Sequence, residues 1–420
     1  MSNTAAEIEA ALPEDGGRTR PLAGKADVAV VGAGAVGLFL AVALARRGLS
    51  VLLLEKRLRR DGTSRAIGIS SPSLELLAQE GLVGAFLAEG LRVRGAVVSD
   101  GRRELGRLDF ACVGGTFPFV LSLPQARTEA LLEAAVRREK RVIYRSGIEV
   151  LGCGEVKRLP GGDAGNLLEA RDSDGASASF EARVVVACDG KRGTLGPAAG
   201  APARGHAYRD RFLMGDFPDA TNWNDTARLF FTPAGSVESF PLPGGARRWV
   251  LSCERGRRED GGKWIAAEVR SRTGAELDPA AMSFESAFGV ERRVARRWAG
   301  GGLFVAGDAA HLMSPIVGQN MNTGFADAAW LAGALERLFG QGRPPPDDAL
   351  AALGRAYARA RGRPTRAAAD RAWAMMRLGT ARGALLSFLR SSLVSLALST
   401  PASRTIAGIF TMRSIPGETA

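Results

Sequence analysis

Eleven residues decide the fold: Asp27-Val28-Ala29-Val30-Val31-Gly32-Ala33-Gly34-Ala35-Val36-Gly37. They begin as an apolar strand and continue as a glycine-rich turn, after which a helical pattern runs to Arg47. A second apolar strand, residues 51–55, closes the unit and ends in Glu55. Short, continuously apolar strands joined by a helix are typical of a parallel sheet that is covered on both faces. The sequence therefore predicts an α/β protein with a Rossmann-like domain.

The three glycines of this turn have the spacing of a dinucleotide-binding fingerprint. Gly32 permits the tight turn, Gly34 lets the backbone approach a diphosphate, and Gly37 lets the helix pack closely on the strand. The diphosphate would lie at the helix N-terminus, and Glu55 would accept a hydrogen bond from a ribose hydroxyl. An ordinary glycine turn is the alternative, and the motif alone does not separate NAD from FAD. The predicted contacts are Gly32, Gly34, Ala35, Val36, Gly37, Glu55 and Lys56.

The composition excludes several classes of protein. The chain has 420 residues, of which 46% are hydrophobic and 24% are charged, so wholesale disorder is excluded. Its four cysteines show no CxxC spacing, which argues against a disulfide scaffold and against a zinc ribbon. The chain has only two histidines, His206 and His311, so a multi-histidine metal site is ruled out and we predict no metal.

A second motif begins where the apolar strand 302–306 runs into Gly307-Asp308. It continues with Ala309, Ala310, His311, Pro315, Gly318, Gln319, Asn322, Thr323, Gly324 and Asp327. Here the chain resembles the class A FAD-dependent aromatic monooxygenases, the para-hydroxybenzoate hydroxylase-like flavoproteins. The resemblance implies that Asp308 contacts the ribityl chain of FAD and that the loop around Pro315 lines the isoalloxazine ring. It also implies that backbone amides at the start of the next helix face the pyrimidine edge of the flavin.

The resemblance runs from about residue 26 to residue 338 and includes three further segments. Arg65-Ala66 resembles the FAD-contacting arginine segment of the family, and Gln125 resembles its glutamine near the ribityl chain. Asp189-Gly190 matches a motif that is associated in the family with both FAD and the nicotinamide cofactor. The implied FAD contacts are Arg65, Gln125, Asp189, Gly307, Asp308, Pro315, Gly318, Asn320, Met321 and Asn322.

The chain departs from the family pattern at two places. After Asp189-Gly190 the family usually has a serine at the third position and an arginine three residues later, whereas this chain has Gly193 and Gly196. The interaction with a nicotinamide cofactor is therefore less secure than the FAD site. The family's Gly-Gln-Gly loop ends here in Asn320, a residue type that tolerates a positive φ and whose side chain would lie near the flavin or the substrate.

Catalytic residues are harder to predict than cofactor contacts. Tyr208 falls where the family begins its substrate sheet and would orient or deprotonate a phenol, while Arg209 or Arg211 would bind an anion. The alternative, that these residues only lie at the surface, stays open. His311 is predicted to be an internal hydrogen-bond partner rather than a base. The candidate catalytic residues are Pro315, Tyr208 and His206.

The motifs predict how the chain is organised. Residues 71–87 are predicted to form one helix, and short strands at 212–216, 227–231, 236–240 and 248–252 predict an antiparallel sheet. The first residues lack the apolar core of a signal peptide. The predicted regions are a flexible tail (1–24), the first part of an FAD-binding domain (25–200, with substrate-domain excursions near 90–122), an inserted, mainly antiparallel β substrate domain (201–295), the second part of the FAD-binding domain (296–340) and a helical, basic C-terminal region (341–420).

The C-terminal region carries most of the net charge of +12. Residues 341–420 contain twelve arginines, no lysine and four acidic residues. The apolar residues between 384 and 402 follow one helical face, but no uncharged apolar run reaches the ~18 residues that span a bilayer. Two interpretations stay open: a core helix packed on the FAD-binding domain, or an interfacial helix within 384–413 that contacts anionic lipid.

The resemblance implies an FAD-dependent monooxygenase that takes electrons from NADPH or NADH. Its flavin C4a-hydroperoxide would hydroxylate or epoxidise an electron-rich aromatic or quinone-type, lipophilic substrate with O2. An FAD-dependent isoprenoid or lipid reductase of the same fold is the first alternative, and a flavin halogenase is less favoured because no Trp-x-Trp-x-Ile-Pro segment is present. A non-enzymatic binder is a third class, but the basic stretch shows no nucleic-acid recognition motif. We expect a cytoplasmic protein, with or without peripheral membrane contact, whose oligomeric state is open.

Overall fold

The computed structural model describes residues 23–60, 62, 66–156, 165–198, 203–253, 261–314, 318–340 and 345–413. Strands and helices are numbered in chain order. The strands are β1 (Ala23–Val31), β2 (Val51–Glu55), β3 (Gly68–Ile69), β4 (Leu91–Val93), β5 (Gly95–Ser99), β6 (Glu104–Asp109), β7 (Val120–Ser122), β8 (Val142–Ser146), β9 (Ile148–Val156), β10 (Gly165–Asp172), β11 (Ser177–Ala187), β12 (Ala203–Pro218), β13 (Ala227–Thr232), β14 (Gly235–Leu242), β15 (Ala246–Cys253), β16 (Phe284–Ala295), β17 (Ala299–Gly300), β18 (Leu303–Val305) and β19 (His311–Leu312). The helices are α1 (Ala35–Arg46), α2 (Ser71–Gln79), α3 (Val83–Glu89), α4 (Gln125–Val136), α5 (Leu195–Ala198), α6 (Gly261–Thr273), α7 (Gln319–Phe339), α8 (Asp347–Thr380), α9 (Ala384–Leu398) and α10 (Ala402–Phe410).

The first sheet has a parallel centre. Its strand order is β17–β18–β11–β1–β2–β8, and β10 and β9 extend it from β11 in antiparallel fashion. Val28 in the central strand β1 pairs with Val184 of β11 on one side and with Val51 of β2 on the other. Residues 28–31, 51–55 and 184–187 of these strands are buried because helices cover the sheet, as their continuous apolar sequence predicts.

The carboxyl edge of this sheet collects the two sequence motifs. Gly32 follows β1, Glu55 ends β2, Asp189 follows β11, and Asp308 follows β18. Because β1, β2, β11 and β18 are parallel, these four residues lie at the same edge although 276 positions separate the first from the last. Ligands of open α/β sheets bind at this edge.

Helix α1 holds the glycine turn in place from inside the core. Ten of its twelve residues are buried, which is expected of a helix that is apolar on all sides. It packs against β1 and β2 and against helices α4 and α7. The ring of Phe39 meets the ring of Phe325 of α7 edge-on at a centroid distance of 5.3 Å. The two helices whose N-termini lie at the carboxyl edge are therefore fixed to each other.

The second sheet is mainly antiparallel, with the order β19–β16–β12–β15–β14–β13–β5–β6 and one parallel pair, β5–β13. One face packs on α6, where Trp249 and Leu251 meet Ile265 and Val269. The opposite face looks into a cavity that it shares with the first sheet. This arrangement of a Rossmann-like domain, a β layer and C-terminal helices confirms the predicted fold class.

The predicted elements are confirmed in the second sheet and corrected in one helix. The four strands predicted between residues 212 and 252 are parts of β12, β13, β14 and β15. The single helix predicted over 71–87 is wrong, because it is two helices, α2 and α3. The break lies at Gly81, whose φ of +61° ends the first helix in a left-handed conformation that glycine adopts without steric penalty.

The C-terminal helices cover the cavity face of the second sheet. Helix α8 runs for 34 residues and crosses from α7 to β14 and β16. Helices α9 and α10 lie on β6, and α9 also meets β13. The interpretation of α9 as a helix packed on the FAD-binding domain is therefore wrong, because its main contacts are with the second sheet.

Helix α9 has three buried polar residues and six exposed apolar residues. Ser387, Arg390 and Ser391 are buried, together with Leu398. The exposed fractions of six apolar side chains lie between 54% and 71%, and we call this surface the α9 apolar face: Leu385, Leu386, Phe388, Leu389, Leu393 and Leu396. Among the described helices none alone is long and apolar enough to cross a bilayer, but α9 and α10 together, bent by 100°, pass on length and composition.

Candidate active site

A cavity of about 1330 Å³ opens at the carboxyl edge of the first sheet and continues beneath the second. Pockets that hold one small molecule usually measure roughly 300–1,000 Å³, so this cavity has room for a dinucleotide and a second compound. We call the part lined by the first sheet, α1, α4, α7 and their loops the first-sheet end. The part lined by β5, β6, β12–β16 and α8–α10 is the second-sheet end.

The three glycines of the turn at the first-sheet end differ in how much space surrounds their Cα atoms. Gly32 has a φ of +101°, and a Cβ atom there would lie 2.3 Å from the carbonyl oxygen of Cys188. A Cβ atom on Gly37 would lie 1.9 Å from the carbonyl oxygen of Gly32, so neither position accepts a side chain. A Cβ atom on Gly34, in contrast, would meet only Oε1 of Glu129, at 4.0 Å. The space over Gly34 is therefore open to a ligand.

The N-terminus of α1 is electrostatically suited to an anion. Gly34 is its N-cap residue, no side chain caps the helix, and no acidic residue lies in its first turn. Gly34, Ala35, Val36 and Gly37 all line the cavity. Uncapped N–H groups and the positive end of the helix dipole bind phosphate groups, so this corner fits a diphosphate.

Glu55 is an ionised carboxylate at the end of β2. Its Oε2 accepts a hydrogen bond from the backbone N–H of Ala33 at 2.7 Å, and its Oε1 accepts from Nε of Arg57 at 2.9 Å. Burial alone would raise the pKa of Glu55, but the bonds and charge of Arg57, with the bond from Ala33, hold the pKa below its ordinary value. Glu55 and Lys56 both line the cavity, as predicted from the sequence.

Arg60, which the sequence does not predict as a site residue, stabilises the glycine turn by hydrogen bonds. Arg60 Nη2 donates to the carbonyl oxygen of Ala33 at 3.0 Å, while Nη1 and Nε donate to Glu129 and Glu133 at 2.6 and 2.7 Å. Gln125, which lines the cavity as predicted, donates to Glu129 at 3.0 Å. The sequence gives no signal for Arg60, because its role depends on two glutamates about 70 residues away, on α4.

Asp189 offers a buried oxygen to the cavity. Its Oδ2 accepts from the backbone N–H of Leu195 at 3.0 Å, but among the described residues its buried Oδ1 has no hydrogen-bond partner. Burial raises the pKa of Asp189, against the effect of the Leu195 bond and of the charge on Lys56. A Cβ atom on Gly193 would lie 2.0 Å from Cγ of Asp189. A side chain at position 193 would therefore require this carboxylate to move from its present position.

Polar contacts connect Asp308 through Asn320 to a buried cluster of His311, Asp327 and Arg361. The amide of Asn320 donates to Asp308, and its Oδ1 lies 3.2 Å from Nδ1 of His311. The other ring nitrogen of His311 lies 2.7 Å from Asp327, which also accepts from Arg361 at 2.9 Å. His311 is 1% exposed and does not line the cavity, so it is an internal partner, as predicted.

The two carboxylates of this chain of contacts have opposite pKa shifts. Burial would raise the pKa of Asp327, but the charges of His311 and Arg361 hold it below its ordinary value. The walls around Asp308 keep water from it and raise its pKa although the side chain is exposed to the cavity, and the opposing effects of His311 and the Asn320 bond do not reverse this. Asp308 faces the open cavity, so a hydroxyl group of a ligand can reach it.

The N-terminus of α7 forms the next part of the wall. Gly318 is its N-cap residue with a φ of +62°, and the first turn has neither a side-chain cap nor an acidic residue. Gly318, Asn320 and Met321 line the cavity. A second positive helix end therefore faces the same space, where it would stabilise negative charge on a ligand.

Asn322 and Gly307, two of the predicted FAD contacts, do not line the cavity but hold its wall in place. The side chain of Asn322 accepts from Ser70 N at 2.9 Å and donates to the carbonyl oxygens of Gly68 and Gly318 at 3.0 and 2.8 Å. The N–H of Gly307 donates to Asp327 at 3.2 Å. Both residues fix loops of the site by backbone hydrogen bonds, which a motif does not distinguish from ligand contacts.

The structure places only some of the remaining candidates. Arg65 and Pro315, and the side chains of His206 and Arg209, lie outside the described residues. Arg211 lines the second-sheet end. Tyr208 is half-buried against a cluster that includes Phe212 and Met376 and does not line the cavity, and burial raises its pKa to about 12. Its catalytic role stays a prediction.

The second-sheet end is apolar apart from a few polar groups. Its lining includes Val98, Leu229, Phe231, Phe240, Val250, Phe288, Val290, Leu378, Val394, Leu398 and Phe410. Arg248 lies in this wall and donates to both oxygens of Asp216 at 2.6 and 2.7 Å. Glu238 lies there as well, buried, and burial raises its pKa to about 7. Sequence reasoning missed both residues.

The residues of the first-sheet end fit FAD. Two uncapped helix N-termini, the open space over Gly34 and the unpaired Oδ1 of Asp189 all face one continuous space. Glu55 at the end of β2 is placed to bind a ribose, and Asp308 at the end of β18 is placed to bind a polyol chain. These groups therefore match a dinucleotide that carries a second polar chain beyond the diphosphate.

Comparison with known proteins agrees with this fit. An FAD-binding-domain family matches residues 25–350. The chain is 33% identical to 6-methylpretetramide 4-monooxygenase of Streptomyces rimosus over 74% of its length and 56% of the relative's. It is 30% identical to ubiquinone hydroxylase UbiL of Rhodospirillum rubrum over 80% of its length and 78% of the relative's. It shares the fold of p-nitrophenol 4-monooxygenase from Pseudomonas putida DLL-E4, with a TM-score of 0.82, 20% identity and coverage of 95% and 100%.

The lengths of these matches limit which properties of the relatives can be assigned to this chain. The chain spans just over half of the length of the Streptomyces relative, so that protein's activity does not carry over as a whole. The family match, in contrast, covers more than three quarters of the chain and both motifs of the first-sheet end. This chain belongs to the FAD-binding-domain family that includes the flavoprotein aromatic monooxygenases.

Proposed function

We propose that the chain is an FAD-dependent monooxygenase that uses NADPH or NADH and O2 to hydroxylate or epoxidise a lipophilic aromatic or quinone-type compound. The observation that carries the proposal is one continuous cavity with a polar end for a dinucleotide and an apolar end for a ring system. For hydroxylation, the substrate, O2, NAD(P)H and one proton give the product, NAD(P)+ and water. FAD, when bound, supplies the electron transfer and the activation of O2.

Each part of the protein has a defined task in this proposal. The N-terminus of α1 binds the diphosphate, and Glu55 binds the ribose next to it. Asp308 binds the polyol chain of the cofactor, and the N-terminus of α7 stabilises negative charge on the flavin. The second sheet and helices α8–α10 exclude water and orient the substrate ring.

The substrate class rests on the apolar second-sheet end and on the relatives. Two of the relatives are named for 6-methylpretetramide and for ubiquinone. We extend this chemistry to the present chain as electron-rich aromatic and quinone-type compounds. A reductase acting on isoprenoid lipids would use the same FAD site, and it differs in consuming no O2.

The first experiment measures flavin binding by a matched pair of glycine variants. In Gly34→Ala the new Cβ atom enters the space over Gly34 and has Oε1 of Glu129, 4.0 Å away, as its nearest protein neighbour, so we expect a folded protein with FAD affinity at least about tenfold lower. In Gly84→Ala a methyl group is added to exposed helix α3, where nothing lies within 4 Å, and FAD binding stays unchanged. Visible spectra and circular dichroism separate loss of cofactor from loss of fold.

The second experiment measures turnover by the FAD-loaded protein with NADPH or NADH and a panel of phenols, naphthols and quinols under ¹⁸O2. The expected result is substrate-stimulated NAD(P)H oxidation with equal O2 consumption and one ¹⁸O atom in the product. Reduction of an isoprenoid double bond without O2 consumption favours the reductase instead. Absence of FAD binding contradicts both enzyme proposals.

We also propose that the α9 apolar face contacts the surface of an anionic membrane on the cytoplasmic side, where NAD(P)H is available. Six apolar side chains face outward on this helix, and no acidic residue occurs between Asp370 and Glu418, whereas six arginines do. Leu393 belongs to this face and also lines the second-sheet end, so the outer apolar surface continues into the cavity. Basic charge beside an apolar helix face complements anionic lipid, and the continuity gives a lipophilic substrate a short path inward.

Vesicle binding tests this contact with two triple variants. Leu385→Ser/Leu389→Ser/Leu396→Ser removes half of the α9 apolar face, while Leu58→Ser/Ile143→Ser/Leu151→Ser removes three exposed apolar side chains elsewhere. We expect the unaltered protein and the second variant to float with phosphatidylglycerol-containing vesicles and the first variant to lose binding by at least about tenfold. No binding by the unaltered protein, or a change confined to self-association in light scattering, contradicts the membrane contact.

A further inference from the structure

Glu238 lies in the middle of the cavity face of the second sheet. It belongs to β14, and its neighbours in register are Leu229 on β13 and Val250 on β15. All three residues line the second-sheet end of the cavity. The side chain is 7% exposed. A carboxylate is therefore built into an otherwise apolar wall, at a position where a ring compound would lie.

The carboxylate of Glu238 is unlike the other buried acidic groups of this sheet. Asp216 is held by both nitrogens of one arginine fork, that of Arg248. Glu238 receives no hydrogen bond from any described residue and forms no ion pair with one, and its carboxylate faces the cavity. Burying a carboxylate without a partner is unfavourable, and proteins keep such groups mainly where a ligand completes them.

Two arginines near Glu238 are engaged with other groups. Arg248 on β15 is paired with Asp216 on β12, and Arg390 on α9 donates to backbone carbonyl oxygens of β13 and α8. Arg211 on β12 and Glu291 on β16 line the same cavity from the neighbouring strands. Burial is the cause that raises the pKa of Glu238 to about 7, so near neutral pH the group exchanges its proton readily.

We propose that Glu238 is a catalytic residue that binds a ring hydroxyl group of the substrate and accepts its proton. The inference rests on the proposed function and narrows its substrate class to hydroxylated aromatic compounds, such as phenols, naphthols or quinols, with an apolar remainder. The O–H bond of the substrate breaks, the electron pair stays on the substrate oxygen, and the proton forms an O–H bond with the carboxylate. The resulting phenolate ring is more electron-rich, and Glu238 returns its proton to solvent after the product leaves.

Binding of two probes to the FAD-loaded protein tests this role without turnover. The probes are 2-naphthol and 2-methoxynaphthalene, which differ in the hydroxyl group alone. We expect the unaltered protein to bind 2-naphthol at least about tenfold more tightly than the ether, which is the contribution of one hydrogen bond to a charged group. The preference should rise between pH 6 and pH 8 as Glu238 ionises. Bound 2-naphthol should absorb at longer wavelength than the free compound because its O–H bond is polarised toward the carboxylate, and we call this shift the naphtholate signal.

Two variants decide whether the preference belongs to Glu238. Glu238→Gln keeps the shape and a hydrogen-bonding amide but cannot accept the proton, so the naphtholate signal and the pH dependence should disappear. Glu285→Gln alters an exposed carboxylate of the same sheet outside the cavity and should leave both unchanged. An unchanged naphtholate signal in Glu238→Gln overturns the proposal, as does equal binding of both probes by the unaltered protein.

Other outcomes separate this inference from the proposed function. Tighter binding of 1-naphthylmethylammonium than of 2-naphthol, lost in Glu238→Gln, would show a cation site and overturn the hydroxyl assignment. A naphtholate signal that depends on Glu238 in a protein that incorporates no ¹⁸O supports the inference while the monooxygenase proposal fails. Incorporation of ¹⁸O that is unaffected in rate and pH profile by Glu238→Gln supports the monooxygenase and overturns the inference.

Discussion

The two ends of the cavity are built in opposite ways. At the first-sheet end the ligand space is shaped by backbone, namely the turn at Gly32 and the N-termini of α1 and α7, and Glu55 and Glu129 beside it are paired with arginines. At the second-sheet end the space is shaped by side chains from strands and helices far apart in sequence, and one carboxylate, that of Glu238, has no partner among the described residues. A backbone site serves a constant cofactor, whereas a side-chain site can change with the substrate.

The difference also appears in how each end is closed. Helix α1, at the first-sheet end, is apolar and buried on all sides. Helix α9, over the second-sheet end, is held by a buried arginine and exposes its leucines. The first-sheet end is therefore closed by the core of the domain, while the second-sheet end is closed by a helix that is fixed by polar contacts and offers its apolar surface outward.

The largest effect is expected from adding one methyl group to the backbone site. In Gly37→Ala the Cβ atom would lie 1.9 Å from a carbonyl oxygen of the turn, so helix α1 must shift away from β1. We expect the free energy of unfolding to fall by more than about 3 kcal/mol, and FAD binding to be lost, because the backbone cannot relax around a buried overlap. Urea unfolding and visible spectra measure the two effects.

The matched control is Gly84→Ala, which adds the same methyl group to another helical glycine, in α3, where it meets no atom within 4 Å. The control should leave stability unchanged or slightly higher, because alanine has the better helix propensity. Equal stability of Gly37→Ala and Gly84→Ala would show that the turn is not rigid and that the first-sheet end is not a backbone site.

The next effect is expected at the arginine that holds α9. Arg390 donates to the carbonyl oxygens of Phe231, Thr232 and Ala381, at 3.0 Å for Thr232 and 2.7 Å for Ala381, and it is 3% exposed. Arg390→Met keeps the apolar stem but leaves these buried acceptors unpaired, so we expect a loss of about 3 kcal/mol of unfolding free energy. Limited proteolysis should then cleave first around α9.

Arg404→Ala is the control for this change, since Arg404 is an exposed arginine of the neighbouring helix α10. Its effect on the free energy of unfolding should stay within about 0.5 kcal/mol. If Arg390→Met were as mild, α9 would be held by its few apolar contacts and the polar attachment inferred from the structure would be incorrect.

The third prediction concerns the pH dependence of the free energy of unfolding, to which the buried carboxylate of Glu238 contributes. The pKa of Glu238 is raised from 4.5 to about 7 in the folded protein, so between these values the folded state binds more protons than the unfolded state. Stability must then fall as pH rises through this window. Relative to Glu238→Gln, which cannot ionise, the unaltered protein should lose about 2.5 kcal/mol between pH 5 and pH 8. Denaturant midpoints measured in parallel at both pH values give this difference, and parallel curves would contradict the burial of an ionisable group.

The contrast between the ends explains what the sequence could predict. The roles of Gly32 and Gly37 follow from local backbone geometry, which a short motif specifies, and the parallel order of β1, β2, β11 and β18 carries Asp189 and Asp308 to the same edge. The fold class and the FAD family follow from the same local patterns. Asn320 was expected near the ligand because it breaks the family pattern, and it links Asp308 to His311.

The residues that sequence reasoning missed depend on distant partners. Arg60 matters because α4 presents two glutamates to it, and Glu238 because two neighbouring strands place apolar residues on both sides. The pattern of α9 led to a wrong interpretation for a related reason. Apolar periodicity shows that one face of a helix is apolar, but not whether that face points toward the protein interior or toward solvent. Arg390 decides this orientation, and its acceptors lie in β13, about 160 residues away.

The smallest expected effect tests that orientation directly. Leu389→Ala shortens a side chain of the α9 apolar face that is 54% exposed, so the free energy of unfolding should change by less than about 0.5 kcal/mol. Leu38→Ala makes the same change in α1, where the side chain is fully buried, and should lower the free energy of unfolding by about 2–5 kcal/mol. The two urea curves, recorded without lipid at low protein concentration, compare the helices over the two ends of the cavity. A large loss for Leu389→Ala would mean that this leucine is covered in solution, and α9 would then close the second-sheet end with its apolar face, as α1 closes the first.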